Sequence, residues 1–166
     1  MFKSDNILLL MRHASSNWPQ YSARDFDRPL DFQGESQPFD IAEQLNSLGV
    51  DIDRALISSA LRATQTFKKL CQKLVKSPEA FFEARLYQAL VPDVKEVLQE
   101  HSSSCDSLLL IGHNPSLTEL SYQLTKDVYE FKPSDLVIFR AKKESLALSL
   151  ESNFGFCVEK ILTPRF

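Results

Sequence analysis

Two periodicities alternate along this chain. Ile7–Met11, Ala55-Leu56-Ile57 and Leu108–Ile111 are short continuous apolar runs, the pattern of strands buried on both faces. Between them, apolar residues recur at helical spacing. Phe39, Ala42, Leu45 and Leu48 share one face, with Gly49 where a C-terminal cap belongs. Ala63, Phe67, Leu70 and Leu74 make a second face, with Ser58 and Ser59 positioned to cap its start. Val94, Val97, Leu98 and His101 make a third, and Leu117, Leu120 and Leu124 a fourth. Ala80-Phe81-Phe82 reads as a short strand, and Leu136–Phe139, Leu146–Leu150 and Phe156–Leu162 read as late strands with little helix between them. This predicts a three-layer α/β/α sandwich around a mixed, mostly parallel sheet, its last strands paired antiparallel.

Composition narrows the picture. No repeat, low-complexity segment or Gly/Pro-rich linker interrupts the 166 residues, so one domain spanning residues 1–166 is expected. Nineteen Lys and Arg against 22 Asp and Glu leave a net charge of −3 with no basic run, which argues against nucleic acid as a partner. No apolar stretch reaches membrane-spanning length, and Ile7–Met11 runs straight into Arg12-His13 rather than into a cleavage site, so a cytoplasmic protein is expected. The three cysteines, Cys71, Cys105 and Cys157, are far apart and form no CxxC pair; they read as small hydrophobes.

The chemistry collects at strand ends. Arg12-His13 follows the first buried run, Ser58-Ser59-Ala60-Leu61-Arg62 the second, and Gly112-His113-Asn114-Pro115 the third. Ligands of open α/β sheets bind outside the carboxyl ends of the strands, so these groups, distant in sequence, can converge. Asp27-Arg28-Pro29-Leu30 lies in the first loop, Ser15 to Gln33. Taken singly, an arginine is a solvated charge and a histidine a structural donor; taken together, such groups define an anion site. Arginine forks bind phosphoryl oxygens, imidazole is a nucleophile toward phosphorus, and a second imidazole can donate to a phosphoryl oxygen. In such a site fixed cations do the neutralising that a metal does elsewhere.

These blocks resemble the histidine phosphatase superfamily, the phosphoglycerate mutase-like fold, and within it the small SixA-type phosphohistidine phosphatases. The matching stretches are Met11-Arg12-His13-Ala14, Asp27–Leu30, Gly34, Ser58–Thr66 and Gly112–Pro115, in the family's order. The resemblance implies that His13 is the phosphorylated nucleophile and that Arg12, Arg62 and His113 hold the phosphoryl oxygens. It implies that Arg28 reaches toward the phosphate and that Ser16 supplies a polar group near it. It implies no cofactor and no metal, and a phosphorylated partner: a protein carrying phosphohistidine, such as a phosphorelay protein or a sugar-transport phosphocarrier, or a small phosphorylated molecule.

Two departures qualify it. Ala14 stands where the superfamily has Gly, a change common in the SixA-like group. In Leu86-Tyr87-Gln88-Ala89, Gln88 stands where relatives often carry Glu, and a glutamine donates no carboxylic proton. Glu83 and Asp93, nearby in sequence but off the motif, are the alternative carboxylates for that role. A leaving imidazole needs such a donor less than a leaving alkoxide does, which favours phosphohistidine. The core elements fill the intervals between the motifs and leave no segment for a large lid, which predicts an open, shallow pocket shaped by the first loop, with Trp18, Tyr21 and Phe26 as contacts. Trp18 packing against the first helix is the equal alternative. The competing readings are a small-molecule phosphomonoesterase, a phosphate-binding module without turnover, and a metal-dependent hydrolase built on His13 and His113; the last is disfavoured because flanking arginines repel a cation.

Overall fold

A computed structural model describes residues 1–18 and 24–165. Six strands form one sheet: β1 (Ile7–Arg12), β2 (Arg54–Ser58), β3 (Glu79–Glu83), β4 (Ser107–Gly112), β5 (Leu136–Ala141) and β6 (Phe156–Leu162). Their spatial order is β3-β2-β4-β1-β5-β6. The first four are parallel; β5 pairs antiparallel with β1, and β6 antiparallel with β5. The sheet is therefore mixed and mostly parallel, as expected.

The continuous apolar runs are explained by burial on both faces. Ile7, Leu9 and Met11 face one side with Ile57, Leu109 and Ile111, under α1 (Gln37–Leu48) and α2 (Leu61–Lys73). Leu8 and Leu10 face the other with Leu56, Leu108 and Leu110, under α3 (Val91–Ser102), α4 (Ser116–Thr125) and α5 (Leu146–Glu151). Both layers are apolar, with every residue of Ile7–Met11 fully buried. Truncating one of these leucines to alanine costs about 2–5 kcal/mol.

The structure corrects the predicted elements in three places. Leu146–Leu150 is helical, not a strand. The alternation of Leu146, Leu148 and Leu150 mimics a strand, but the Ser145 hydroxyl accepts from the Leu148 N–H and starts a helix that buries Leu146, Ser149 and Leu150 and exposes Leu148. The buried face of α1 is Pro38, Ile41, Ala42 and Leu45; Phe39 turns aside and lies beneath the ammonium groups of Lys69 and Lys73. Neither Ser58 nor Ser59 caps α2, whose N-cap position is Ala60. Gly49 ends α1 in the left-handed conformation, φ 70°, with its N–H on Asn46 and Leu45 carbonyls, as its sequence position predicted. No helix among the described residues is long and apolar enough to cross a membrane.

Candidate active site

His13 follows β1, Arg62 lies in the first turn of α2 after β2, and His113 follows β4. These three strands are neighbours, so their carboxyl ends deliver the three side chains to one place. The His13 and His113 ring centroids are 5.1 Å apart. The Arg62 Nε donates to His13 Nε2 at 3.3 Å, and its Nη2 lies 3.4 Å from His113 Nδ1. The interior face of α2 explains why the Arg62–Thr66 block has its spacing. One turn after Arg62, the Thr66 hydroxyl donates to the Arg62 carbonyl and accepts from the Ala14 N–H. Gln65 accepts from the Leu30 N–H and ties the first loop to the same helix.

Hydrogen bonding sets the imidazole tautomers. His13 Nδ1 is 2.8 Å from the Ala14 carbonyl, which only accepts, so Nδ1 carries the proton and Nε2 presents a lone pair. His113 Nε2 is 2.7 Å from the Ser58 hydroxyl. With a guanidinium N–H facing Nδ1, its proton sits on Nε2 and is donated to Ser58. Ser58, expected at a helix cap, serves this imidazole instead. Burial, reinforced by neighbouring cations, lowers the His13 pKa to about 3 and that of His113 to about 4. Both rings are neutral at neutral pH, the state a nitrogen nucleophile needs.

Arg12 is anchored by its Nη1 on the Phe131 carbonyl at 3.0 Å, a carbonyl shared with the Asn114 side-chain amide. Among the described residues, two buried side-chain polar atoms have no hydrogen-bond partner: Arg12 Nε and Ser134 Oγ. Ser134 is fully buried in the left-handed conformation, φ 64°, and its N–H holds the His13 carbonyl.

Sequence reasoning missed Asp25. It sits in a short helical turn, Asp25–Asp27, of the first loop. Its carboxylate accepts from Arg62 Nη2 (3.1 Å), Arg28 Nε (3.2 Å) and the Tyr87 hydroxyl (2.9 Å), and its carbonyl accepts from Arg62 Nη1 (2.8 Å). Burial raises the Asp25 pKa, but the Tyr87 hydrogen bond and the Arg62 and Arg28 charges outweigh it and leave it below the ordinary value. Alternation of charge in Arg24-Asp25-Phe26-Asp27-Arg28 reads as a solvated loop; only the fold brings Asp25 inward.

The remaining predicted residues divide. Arg28 joins the cluster through Asp25, and its Nη1 donates to the Ser16 carbonyl. The Ser16 hydroxyl donates to the Pro29 carbonyl and so braces the loop. Trp18 is exposed, its ring 5.0 Å from the Arg28 guanidinium rather than against α1. Phe26 stacks edge-on with Tyr87 at 5.1 Å; Tyr21 lies outside the described residues. Gln88 is exposed with φ 53°, a turn that leaves Tyr87, not Gln88, beside His113. Glu83 is occupied by Arg85, and Asp93 accepts the Leu90 N–H at the start of α3. Neither is a donor in the cluster. The expected open pocket is covered: His13, Arg62 and His113 are 6%, 5% and 9% exposed, because Asp25 and Tyr87 close over them.

Metal ligation finds little here. Among the described residues, the grouping with ligand atoms within 4.8 Å is Glu83, Glu100 and His101, and both of its carboxylates already pair with Arg85.

The architecture and the cluster together describe an α/β protein whose imidazoles and guanidiniums converge at the carboxyl ends of its parallel strands. Residues 8–88 match the model of the histidine phosphatase superfamily, branch 1. An uncharacterised protein of Mycobacterium tuberculosis is 33% identical over 114 residues, 69% of each chain. An uncharacterised chloroplastic protein of Arabidopsis thaliana is 27% identical over 168 residues, 95% of this chain and 77% of the relative. The protein histidine phosphatase SixA complexed with tungstate superposes with a TM-score of 0.80 at 23% identity, covering 95% of this chain and 97% of that one. The chain belongs to the histidine phosphatase superfamily, and its fold is the phosphoglycerate mutase-like one.

Proposed function

We propose that this phosphatase removes phosphoryl groups from phosphohistidine on a protein, by way of a phosphorylated His13 and without a metal. One observation carries the reading: an imidazole that is neutral, with its Nε2 lone pair turned toward a guanidinium cluster. Nε2 attacks phosphorus as the P–N bond of the substrate breaks. Arg12, Arg28 and Arg62 hold the phosphoryl oxygens, His113 orients the Arg62 fork through its Nδ1 lone pair rather than donating to an oxygen itself, and the departing imidazole takes its proton from water. Water then cleaves the His13–phosphorus bond, releasing inorganic phosphate and regenerating neutral His13. The cations stand in for the charge neutralisation that Mg²⁺ performs in other phosphoryl transfers.

Asp25 supports a P–N substrate over a P–O one. Held ionised among arginines, it has no proton to give a leaving alkoxide at neutral pH. General-acid assistance is worth roughly 10²–10⁴-fold, and an alkyl phosphate would forgo it.

The test is a substrate panel: a phosphohistidine protein, an aryl phosphate and an alkyl phosphate, each with wild type and His13→Ala. Wild type should act on the first two far faster than on the third. His13→Ala should lose turnover and the acid-labile phosphoenzyme while still binding phosphate. Alkyl phosphate hydrolysis as fast as phosphohistidine hydrolysis would sink the substrate assignment; wild-type turnover by His13→Ala would sink the nucleophile.

A further inference from the structure

Four of the hydrogen bonds that Arg62 makes are internal. Nε goes to His13 Nε2, Nη1 to the Asp25 carbonyl, and Nη2 to both the Asp25 carboxylate and His113 Nδ1. Arg28 is committed as well, with Nε on the same carboxylate and Nη1 on the Ser16 carbonyl. A guanidinium fork takes a carboxylate or a phosphoryl group in the same manner, through paired charge-assisted N–H···O bonds. The Asp25 carboxylate therefore lies across the donors that a phosphoryl group would use. Tyr87 holds it there with a hydroxyl, and Phe26, next in the chain, packs edge-on against the Tyr87 ring.

We infer that Asp25 is a built-in competitor for the anion seat, a specificity-determining group that an incoming phosphoryl group displaces and that returns to expel the phosphate product. This rests on the reading of the cluster as a phosphoryl site. The physical basis is a like-charge contest. A dianionic phosphoryl group outbids a single carboxylate for two guanidiniums, and a weakly charged anion does not. The competition lowers affinity for free phosphate and keeps the site from being held by its own product. It also explains why residues of a phosphoryl site are covered: the cover is the competitor, fixed at one end by Tyr87 and at the other by the two arginines.

A merely structural Asp25, one that aligns Arg28 and Arg62 for the ligand, predicts the opposite sign for its removal. Isothermal calorimetry with inorganic phosphate separates the two without recourse to turnover. Asp25→Asn keeps the shape and removes the charge, and should bind phosphate at least about tenfold more tightly than wild type. Tyr87→Phe removes only the hydroxyl that holds the carboxylate, and should tighten binding by a few-fold; it decides the matter if Asp25→Asn does not fold. Unchanged or weaker binding in the folded variant, with wild type binding normally, overturns the competitor alone. Absence of phosphate binding in wild type and variants overturns the competitor together with the phosphoryl-site reading.

Discussion

His13 and His113 are nearly buried imidazoles with hydrogen bonds that suit their neutral forms, and this has a thermodynamic signature. Their folded pKa values, about 3 and about 4, lie below the 6.5 of an exposed ring. Between pH 6.5 and about 4 the unfolded chain therefore binds more protons at these two sites than the folded one does. Stability falls as pH falls through that window, by about 1.4 kcal/mol per pH unit for each ring once well below 6.5. Urea unfolding at pH 7 and pH 5 should show the loss, and His113→Asn should show a smaller one because a titrating ring is gone. Equal stability of wild type at the two pH values would mean that the rings charge freely in the folded state. Under the proposed mechanism, the same neutrality leaves the His13 Nε2 lone pair available across the physiological range.

The elements deliver these residues through a few backbone contacts that leave no room for variation. Ser15, just past β1, donates its hydroxyl to Asp31, and its carbonyl accepts the Asp31 N–H; Asp31 in turn accepts the Gly34 N–H. A β-carbon on Gly34 would lie 2.0 Å from the Ser15 carbonyl oxygen, a clash with backbone rather than with a side chain that could swing away. Gly34→Ala should therefore push apart the start of α1 and the segment carrying His13, costing about 1–3 kcal/mol and lowering kcat/KM against an aryl phosphate. Full activity at wild-type stability would show that the loop yields. This contact explains a motif glycine that sequence inspection could note but not interpret. The converse case is α5, whose three alternating leucines imitate a strand and whose helicity depends on the Ser145 cap and on which leucines the core accepts.

At the scale of the whole molecule, what was legible was what is local. Buried strands announce themselves as unbroken apolar runs because helices cover both faces of the sheet; Arg12, His13 and His113 stand out because they come at the ends of such runs, and Arg62 because it lies in the first turn of the helix that follows one. Asp25 and Tyr87 were not legible, since their importance arises from a loop folding back across three strand ends. Gln88 drew attention by its difference from a family pattern, yet a left-handed backbone at that position leaves it in solvent.

Ser134 joins β5 to this assembly in a way that has a price for the protein as a whole. A serine in the left-handed region and a buried hydroxyl with no partner among the described residues each disfavour the folded state, by roughly 1–3 kcal/mol apiece. Glycine relieves both, against an added unfolded-state entropy of about 0.5–1 kcal/mol. Ser134→Gly should melt higher, by about 2–4 °C for each kcal/mol gained in a chain of this size. A lower melting temperature would mean that the hydroxyl is satisfied and the backbone at ease. Because the Ser134 N–H grips the His13 carbonyl, a looser glycine should slow turnover as it raises the melting point. Robustness to heat and catalytic speed then pull against each other at one residue, and selection for thermal tolerance in this chain would be expected to find position 134 early.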